Sequence, residues 1–185
     1  MVKYKARVLS YVEYRTPAVY HATDTVLEQL DRVQAGFVNR RGLTEVEALV
    51  EFRLAPLNCR RDMAMLWVLH RAALKKGPVH LQSFFYQADV TASRVTRLAQ
   101  NRHNRQLKEY RSGQFLEILR RSALGLVAVY NLLPAEVVAA DTVKDFQRQL
   151  QDLLCYRAVR DEEDWKETYS PRVPLWRHPL QKLRR

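Results

Sequence analysis

The sequence has little cysteine, little glycine and no long apolar run. Its two cysteines, Cys59 and Cys155, lie far apart and form no Cys-Xaa-Xaa-Cys pair, which excludes a disulfide-stapled mini-protein. Five glycines in 185 residues exclude a collagen-like or glycine-rich chain. No stretch of about 18 apolar residues occurs without a charge, so the sequence predicts no membrane span.

Motifs for targeting and for cofactor chemistry are also missing. Lys3, Lys5 and Arg7 interrupt the apolar stretch at the N-terminus, so no secretory signal is predicted. Together with the missing disulfide pattern, this indicates an intracellular location, in the nucleus or the cytoplasm. There is no phosphate-binding glycine loop and no metal-ligand spacing of histidine and cysteine, so we expect no cofactor and no metal. The lone His70, on an apolar helix face, is interpreted as a core histidine.

What the chain does have is positive charge. Its net charge is +11 and its pI is about 9.9. Residues 91–121 hold eight basic and two acidic groups, and residues 168–185 hold five basic groups and no acid. A chain this basic predicts an anionic partner, and nucleic acid is the first expectation.

Apolar residues recur at three- and four-residue steps and strand patterns are rare, which predicts a mostly α protein. Thr44 and Glu47 form a capping box that starts one helix. Gly77, after two lysines and before a proline, predicts the left-handed end of a later helix. The apolar stretch 115–130 predicts one continuous helix.

Five short motifs follow one another along the chain: Leu9-Ser-Tyr-Val-Glu-Tyr14, Leu30-Asp-Arg-Val-Gln34, Leu54-Ala-Pro-Leu-Asn-Cys-Arg-Arg-Asp62, Tyr130-Asn-Leu-Leu-Pro134 and Val143-Lys-Asp-Phe146. In this order they resemble the C-terminal part of LINE-type (non-LTR) retrotransposon reverse transcriptases. The resemblance covers roughly residues 4–154 and lies in the order of the set rather than in any single motif. Asp31, Tyr130 and Gln147 depart from the Glu, Trp and Lys that are usual in that family.

The resemblance implies a helical thumb that packs against the template–primer duplex, followed by a basic connector. The predicted architecture is therefore mostly α, with a thumb-like helical bundle, a basic linker and a second small helical unit. The predicted boundaries are 1–90 for the bundle, 91–113 for the linker, 114–157 for the small unit and 158–185 for a Pro-rich basic tail. We expect that tail to be exposed and disordered.

The resemblance does not extend to the catalytic palm. Polymerase chemistry needs adjacent carboxylates that hold two divalent ions, and reverse transcriptases place them in an aromatic-Xaa-Asp-Asp turn. The nearest similar segment, Tyr86-Gln-Ala-Asp89, has a single aspartate and follows the thumb-like part. We therefore expect no enzyme activity, and a chain that is a fragment, a remnant reading frame or a detached thumb and connector.

The sequence predicts a nucleic-acid-binding fragment that grips the backbone of RNA or of an RNA–DNA duplex without sequence readout. A helix N-terminus disfavours cations, so two arginines there indicate a function. The basic residues of the linker are interleaved with aromatic rings, as in surfaces that bind single-stranded nucleic acid. The predicted binding residues are Arg40, Arg41, Arg60, Arg61, Arg94, Arg97, Arg102, Arg105 and Lys108.

Two alternatives stay open. In the first, the chain is a helical protein-interaction module that packs on a polymerase body or another chain, with Trp67, Tyr130 and Leu133 as exposed apolar surface. Or it is a decayed element with no selected role. A reverse transcriptase palm and fingers is the protein partner that the first alternative predicts.

Overall fold

The computed structural model describes residues 1–87, 103–109 and 116–182, and these are mostly helical, which confirms the predicted class. In this described part no strand forms beyond an isolated bridge between Gln87 and Leu107. The α-helices are α1 (Val2–Tyr4), α2 (Ser10–Tyr14), α3 (Thr16–Val19), α4 (Asp24–Asn39), α5 (Glu45–Phe52), α6 (Leu57–Ala73), α7 (Val79–Phe84), α8 (Leu116–Arg120), α9 (Leu126–Leu132), α10 (Ala135–Val138), α11 (Val143–Val159) and α12 (Pro179–Lys182).

Shorter helical turns complete the path. A π-helical turn, Lys5–Leu9, joins α1 to α2 without a break, and we call residues 2–14 the N-terminal helix. Two 3-10 turns, Trp165–Glu167 and Leu175–Arg177, precede α12. No helix in the described ranges has the length and apolarity to cross a bilayer.

The capping box at the start of α5 is confirmed. Thr44 Oγ1 accepts the Glu47 N–H at 3.1 Å, and the Glu47 carboxylate accepts the Thr44 N–H at 2.7 Å. The two bonds satisfy N–H groups that the first helical turn leaves without a partner.

The end of α6 differs from the prediction. Lys75, and not Gly77, takes the left-handed conformation, with φ of +56°. The Lys75 N–H bonds to the Ala72 carbonyl at 2.9 Å and the Lys76 N–H to the Arg71 carbonyl at 3.0 Å, which is a Schellman motif two residues earlier than expected. The predicted Gly77 position is wrong because the apolar face of α6 ends at Leu74.

The predicted single helix over 115–130 is also wrong. The chain leaves α8 at Arg120, makes a turn and starts α9 at Leu126. Gly125 makes this turn possible, because a Cβ at that position would lie 2.5 Å from the Leu119 carbonyl oxygen. An uninterrupted apolar pattern hides a close backbone approach of this kind.

α6 lies at the centre of the core, and it packs against α9 and α11. The same hydrophobic cluster contains Leu66 and Leu69 from α6, Leu126 from α9 and Leu150 from α11. The predicted thumb-like bundle and the predicted second unit therefore share one core.

Much of the predicted tail is packed rather than exposed within the described residues, although Asp161, Glu163 and Trp176 are exposed. Trp165, Tyr169 and Leu180 belong to the main core cluster. Their anchor is Arg157, whose side chain is fully buried and pairs with Glu162 and Asp164 at 2.5 and 2.7 Å. The acidic run after α11 looks solvated in sequence because its buried arginine partner is not visible there.

A second, smaller cluster holds the N-terminal helix. Tyr4 and Leu9 pack there with Val38 of α4 and with Leu54 and Leu57 near the start of α6. Lys5 points inward as well, and its ammonium donates to the Phe52 carbonyl. This packing leaves the opposite face of the N-terminal helix open to solvent beside the end of α4.

Candidate nucleic-acid interface

Two of the predicted binding residues, Arg60 and Arg61, are used inside the fold. Arg61 makes two bonds to the carboxylate of Asp31, at 2.6 and 2.8 Å, and only 6% of its side chain is exposed. Arg60 donates to the carboxylate of Glu13 on the N-terminal helix. Carboxylates from other helices therefore compensate the two positive charges at the start of α6, so their position there does not require an external anion.

Arg105 is also occupied. One of its nitrogens donates to the Val138 and Ala140 carbonyls at 2.7 and 2.9 Å, and the other pairs with Asp141 at 2.8 Å. Its guanidinium therefore closes the end of α10, where carbonyls lack partners in the helix. The Asp141 pKa is lowered by its hydrogen bond to Arg105.

Lys108 is exposed, and its ammonium lies 5.1 Å from the centre of the Tyr86 ring. Arg94, Arg97 and Arg102, the other predicted binding residues of this run, lie outside the described residues. The linker assignment is therefore visible only through Arg105 and Lys108.

Arg40 and Arg41 lie at the end of α4 and both are exposed. The Arg41 guanidinium lies 5.7 Å from the centre of the Phe37 ring, one turn earlier. Among the described residues, neither arginine has an acidic side chain in ion-pair range. Of the predicted binding residues that the structure describes, these two are the most available to an external anion.

The N-terminal helix adds two more cations beside them. Lys3, Arg7 and Arg41 surround a hollow of about 520 Å³, which we call the basic hollow. Its floor contains Tyr4 and Phe37, whose rings stack with centres 3.9 Å apart and planes 9° apart. The rest of the lining is Met1, Val2 and Val8.

No carboxylate lines the basic hollow. The sequence has no acidic residue between Asp31 and Glu45, so the second half of α4 is uniformly neutral or positive. Glu13, the acidic residue of the N-terminal helix, is paired with Arg60. Burial raises the pKa of Tyr4, so its hydroxyl stays neutral and adds no negative charge. The charged side chains that line the hollow are therefore all cations.

Lys3 and Arg7 were not among the predicted binding residues. Their four-residue spacing, with Tyr4 between them, places both cations on one helix face, and that is the pattern by which sequence reasoning could have found them. Their proximity to Arg41 has no counterpart in the sequence, because it depends on how the N-terminal helix packs on α4.

His70 is a core histidine. Its Nε2–H donates to the Ala140 carbonyl at 2.8 Å, which leaves Nδ1 to accept the Tyr130 hydroxyl at 3.0 Å. Its ring stacks on Phe146 with centres 4.0 Å apart, and burial lowers its pKa. No group of His, Cys, Asp or Glu within the described residues is arranged to hold a metal ion.

Two of the three residues predicted to form an exposed apolar surface are buried. Tyr130 and Leu133 are 0% and 1% exposed and lie in the main core, while Trp67 is partly exposed. Cys59 is buried too, and burial raises the pKa of its thiol well above the usual value, which disfavours the reactive thiolate.

Comparison of the chain with protein-family models, with curated proteins and with solved structures gave no match.

Proposed function

We propose that this chain is a non-catalytic nucleic-acid-binding fragment that holds the backbone of RNA or of an RNA–DNA duplex. The observation that carries the proposal is the basic hollow, which Lys3, Arg7 and Arg41 line together with the stacked rings of Tyr4 and Phe37, and which no carboxylate lines. Arg40 extends the positive surface at the end of α4. The motif order that resembles the C-terminal part of a LINE-type reverse transcriptase supports the same assignment.

The contacts suit a backbone and not a base sequence. Flexible cations on an exposed surface neutralise phosphates and release counterions, which gives affinity without discrimination between bases. In this proposal a reverse transcriptase palm, on another piece of polypeptide, performs the chemistry.

The salt dependence of binding tests the proposal. Four phosphate contacts, from Lys3, Arg7, Arg40 and Arg41, correspond to a slope of log affinity against log salt of about −3.6 on duplex DNA. Replacement of Lys3, Arg7 and Arg41 by alanine should remove roughly three quarters of that slope. The matched control replaces Arg32, Lys144 and Arg160, which are exposed cations on other surfaces.

The control carries the same change of net charge, so it separates location from total charge. If both triple variants lose affinity equally, the basic hollow is not the binding surface. If the wild-type chain does not bind polynucleotides in dilute salt, the proposed function is wrong.

A second function, docking on a protein, is favoured by one exposed side chain. Trp176 is 80% exposed and follows Leu175, which is 42% exposed. Large aromatic residues dominate the binding energy of protein interfaces. If the chain docks on a polymerase body, Trp176→Ala should abolish association with a palm and fingers protein and leave polynucleotide affinity unchanged.

A further inference from the structure

Two tyrosines continue the positive face of the N-terminal helix beyond the basic hollow. Tyr11 is 61% exposed and Tyr14 is 87% exposed, although each carries a large apolar ring. Lys3, Arg7 and Tyr11 recur at four-residue steps and so lie along one side of the helix. The Arg15 guanidinium lies 4.8 Å from the centre of the Tyr11 ring.

From this arrangement we propose that the exposed face of the N-terminal helix binds a single-stranded nucleic-acid segment. Unpaired bases stack on Tyr11 and Tyr14, and the phosphates lie against Lys3, Arg7 and Arg41. The inference rests on the proposed function, because it names the form of nucleic acid that this surface takes.

The positive charge around the tyrosines favours a polynucleotide over a protein as the partner of this helix face. A protein surface that covered them would have to pair Lys3, Arg7 and Arg15 with acids, whereas a polynucleotide supplies phosphates at regular intervals along the same line. Glu13, the acid of this helix, pairs with Arg60 and does not oppose an anion. Positive side chains interleaved with exposed rings are the combination that binds single strands without sequence preference.

The geometry also distinguishes a single strand from a duplex. In a duplex each base is stacked between its neighbours, so its face is not free to lie on a tyrosine ring. In an unpaired segment the faces are accessible, and stacking on a ring contributes to affinity for any base. The helix from Lys3 to Tyr14 is about 16 Å long, which is the scale of a site for a few nucleotides.

A strand of 12 nucleotides is longer than this helix and can cover the whole proposed surface. Binding of a fluorescent 12-nucleotide thymidine oligomer and of a 12-base-pair duplex is measured by anisotropy, at the same salt concentration, with the full chain. The variant is Tyr11→Leu together with Tyr14→Leu, which keeps apolar side chains but removes both rings. We expect about tenfold or greater loss of single-strand affinity, with duplex affinity unchanged.

Two further variants serve as controls. Tyr11→Phe with Tyr14→Phe keeps both rings and should bind the single strand as the wild type does. Tyr156→Leu removes an exposed tyrosine that has an arginine, Arg160, at 5.2 Å in the same i and i+4 arrangement, on a different surface. It should leave single-strand affinity unchanged.

The outcomes separate this inference from the function on which it rests. If the leucine variant binds the single strand as tightly as the wild type while the Lys3, Arg7 and Arg41 variant loses duplex binding, the inference is wrong and the proposed function stands. If the tyrosines affect only association with a palm and fingers protein, they form a docking surface and the inference is also wrong. If the wild-type chain binds neither nucleic acid, both fail.

Discussion

The Tyr20 hydroxyl donates a 2.7 Å hydrogen bond to Oδ1 of Asp62. Asp62 is a buried residue of α6, and Tyr20 lies in the turn before α4. Burial raises the pKa of Asp62 from its ordinary value of 3.8 to about 7, and the Tyr20 hydrogen bond and Arg61 oppose part of that rise. Asp62 therefore titrates near neutral pH in the folded chain and near pH 4 in the unfolded chain.

This difference predicts that part of the stability is lost as the pH rises. Between about pH 4 and pH 7 the unfolded chain releases a proton that the folded chain retains, so the free energy of unfolding falls as the pH increases. At about 1.4 kcal/mol per pKa unit, a shift of about three units corresponds to a loss on the order of 4 kcal/mol. Asp62→Asn, which is neutral at every pH, should remove this part of the pH dependence.

Urea unfolding of the wild type and of Asp62→Asn at about pH 4 and pH 8 measures this pH dependence of the free energy of unfolding. The two proteins should differ least in acid, and the variant should be the more stable in base. A constant difference between them at both pH values would contradict the elevated pKa.

A second prediction concerns Arg61, which the sequence predicts as a phosphate contact. Because its side chain is buried against Asp31, Arg61→Ala should lower the free energy of unfolding by about 2–4 kcal/mol. Polynucleotide affinity, measured well below the melting temperature, should not change. A double-mutant cycle with Asp31→Ala should recover much of the loss, since the unpaired carboxylate is then absent.

The turn between α8 and α9 gives the third prediction. Gly125→Ala should destabilise the chain by roughly 2–4 kcal/mol, because the new methyl group would lie 2.5 Å from the Leu119 carbonyl oxygen. Gly36→Ala is the matched control, since Gly36 lies within α4 with nothing within 4 Å of the new atom. That change should stabilise by about 0.5–1 kcal/mol. Equal effects in thermal melts would contradict the close approach.

The fourth prediction is that the chain resists proteolysis at Trp165 and Tyr169. Trp165 and Tyr169 are 6% and 1% exposed, so chymotrypsin should cut there slowly, while it cuts readily after the exposed Trp176. Arg157→Ala leaves Glu162 and Asp164 without their buried partner and should make Trp165 and Tyr169 rapid cleavage sites. Rapid cleavage at Trp165 in the wild type would show that this segment is open.

Local features of the fold were predictable and contacts between distant segments were not. The capping box of Thr44 and Glu47 was read correctly because both partners lie within one turn. The ion pair between Arg61 and Asp31 is not predictable from the sequence, because the two residues lie 30 positions apart and their pairing depends on how α4 packs on α6. The same holds for the candidate interface, since Arg41 was predicted but its neighbours Lys3 and Arg7 come from another helix.

The prediction of an exposed tail over residues 158–185 differs from the structure for a further reason. Prolines and a run of acids are typical of an exposed tail, and they outweighed Trp165, Tyr169 and Val173, which recur at four-residue steps and are all buried. The order of motifs that resembles a reverse transcriptase thumb stays a prediction, because it names a relationship that geometry alone does not test.

Arg172 links the last part of the described chain to the start of α4 and the turn before it. Its guanidinium bonds to the Tyr20 and Ala22 carbonyls at 3.1 and 3.0 Å and to the Asp24 carboxylate at 2.5 Å. During synthesis on the ribosome, this contact can therefore form only after almost the whole chain has emerged. Contacts that span so much sequence slow folding, and a chain cut short before Arg172 would leave its beginning unfinished as well as its end.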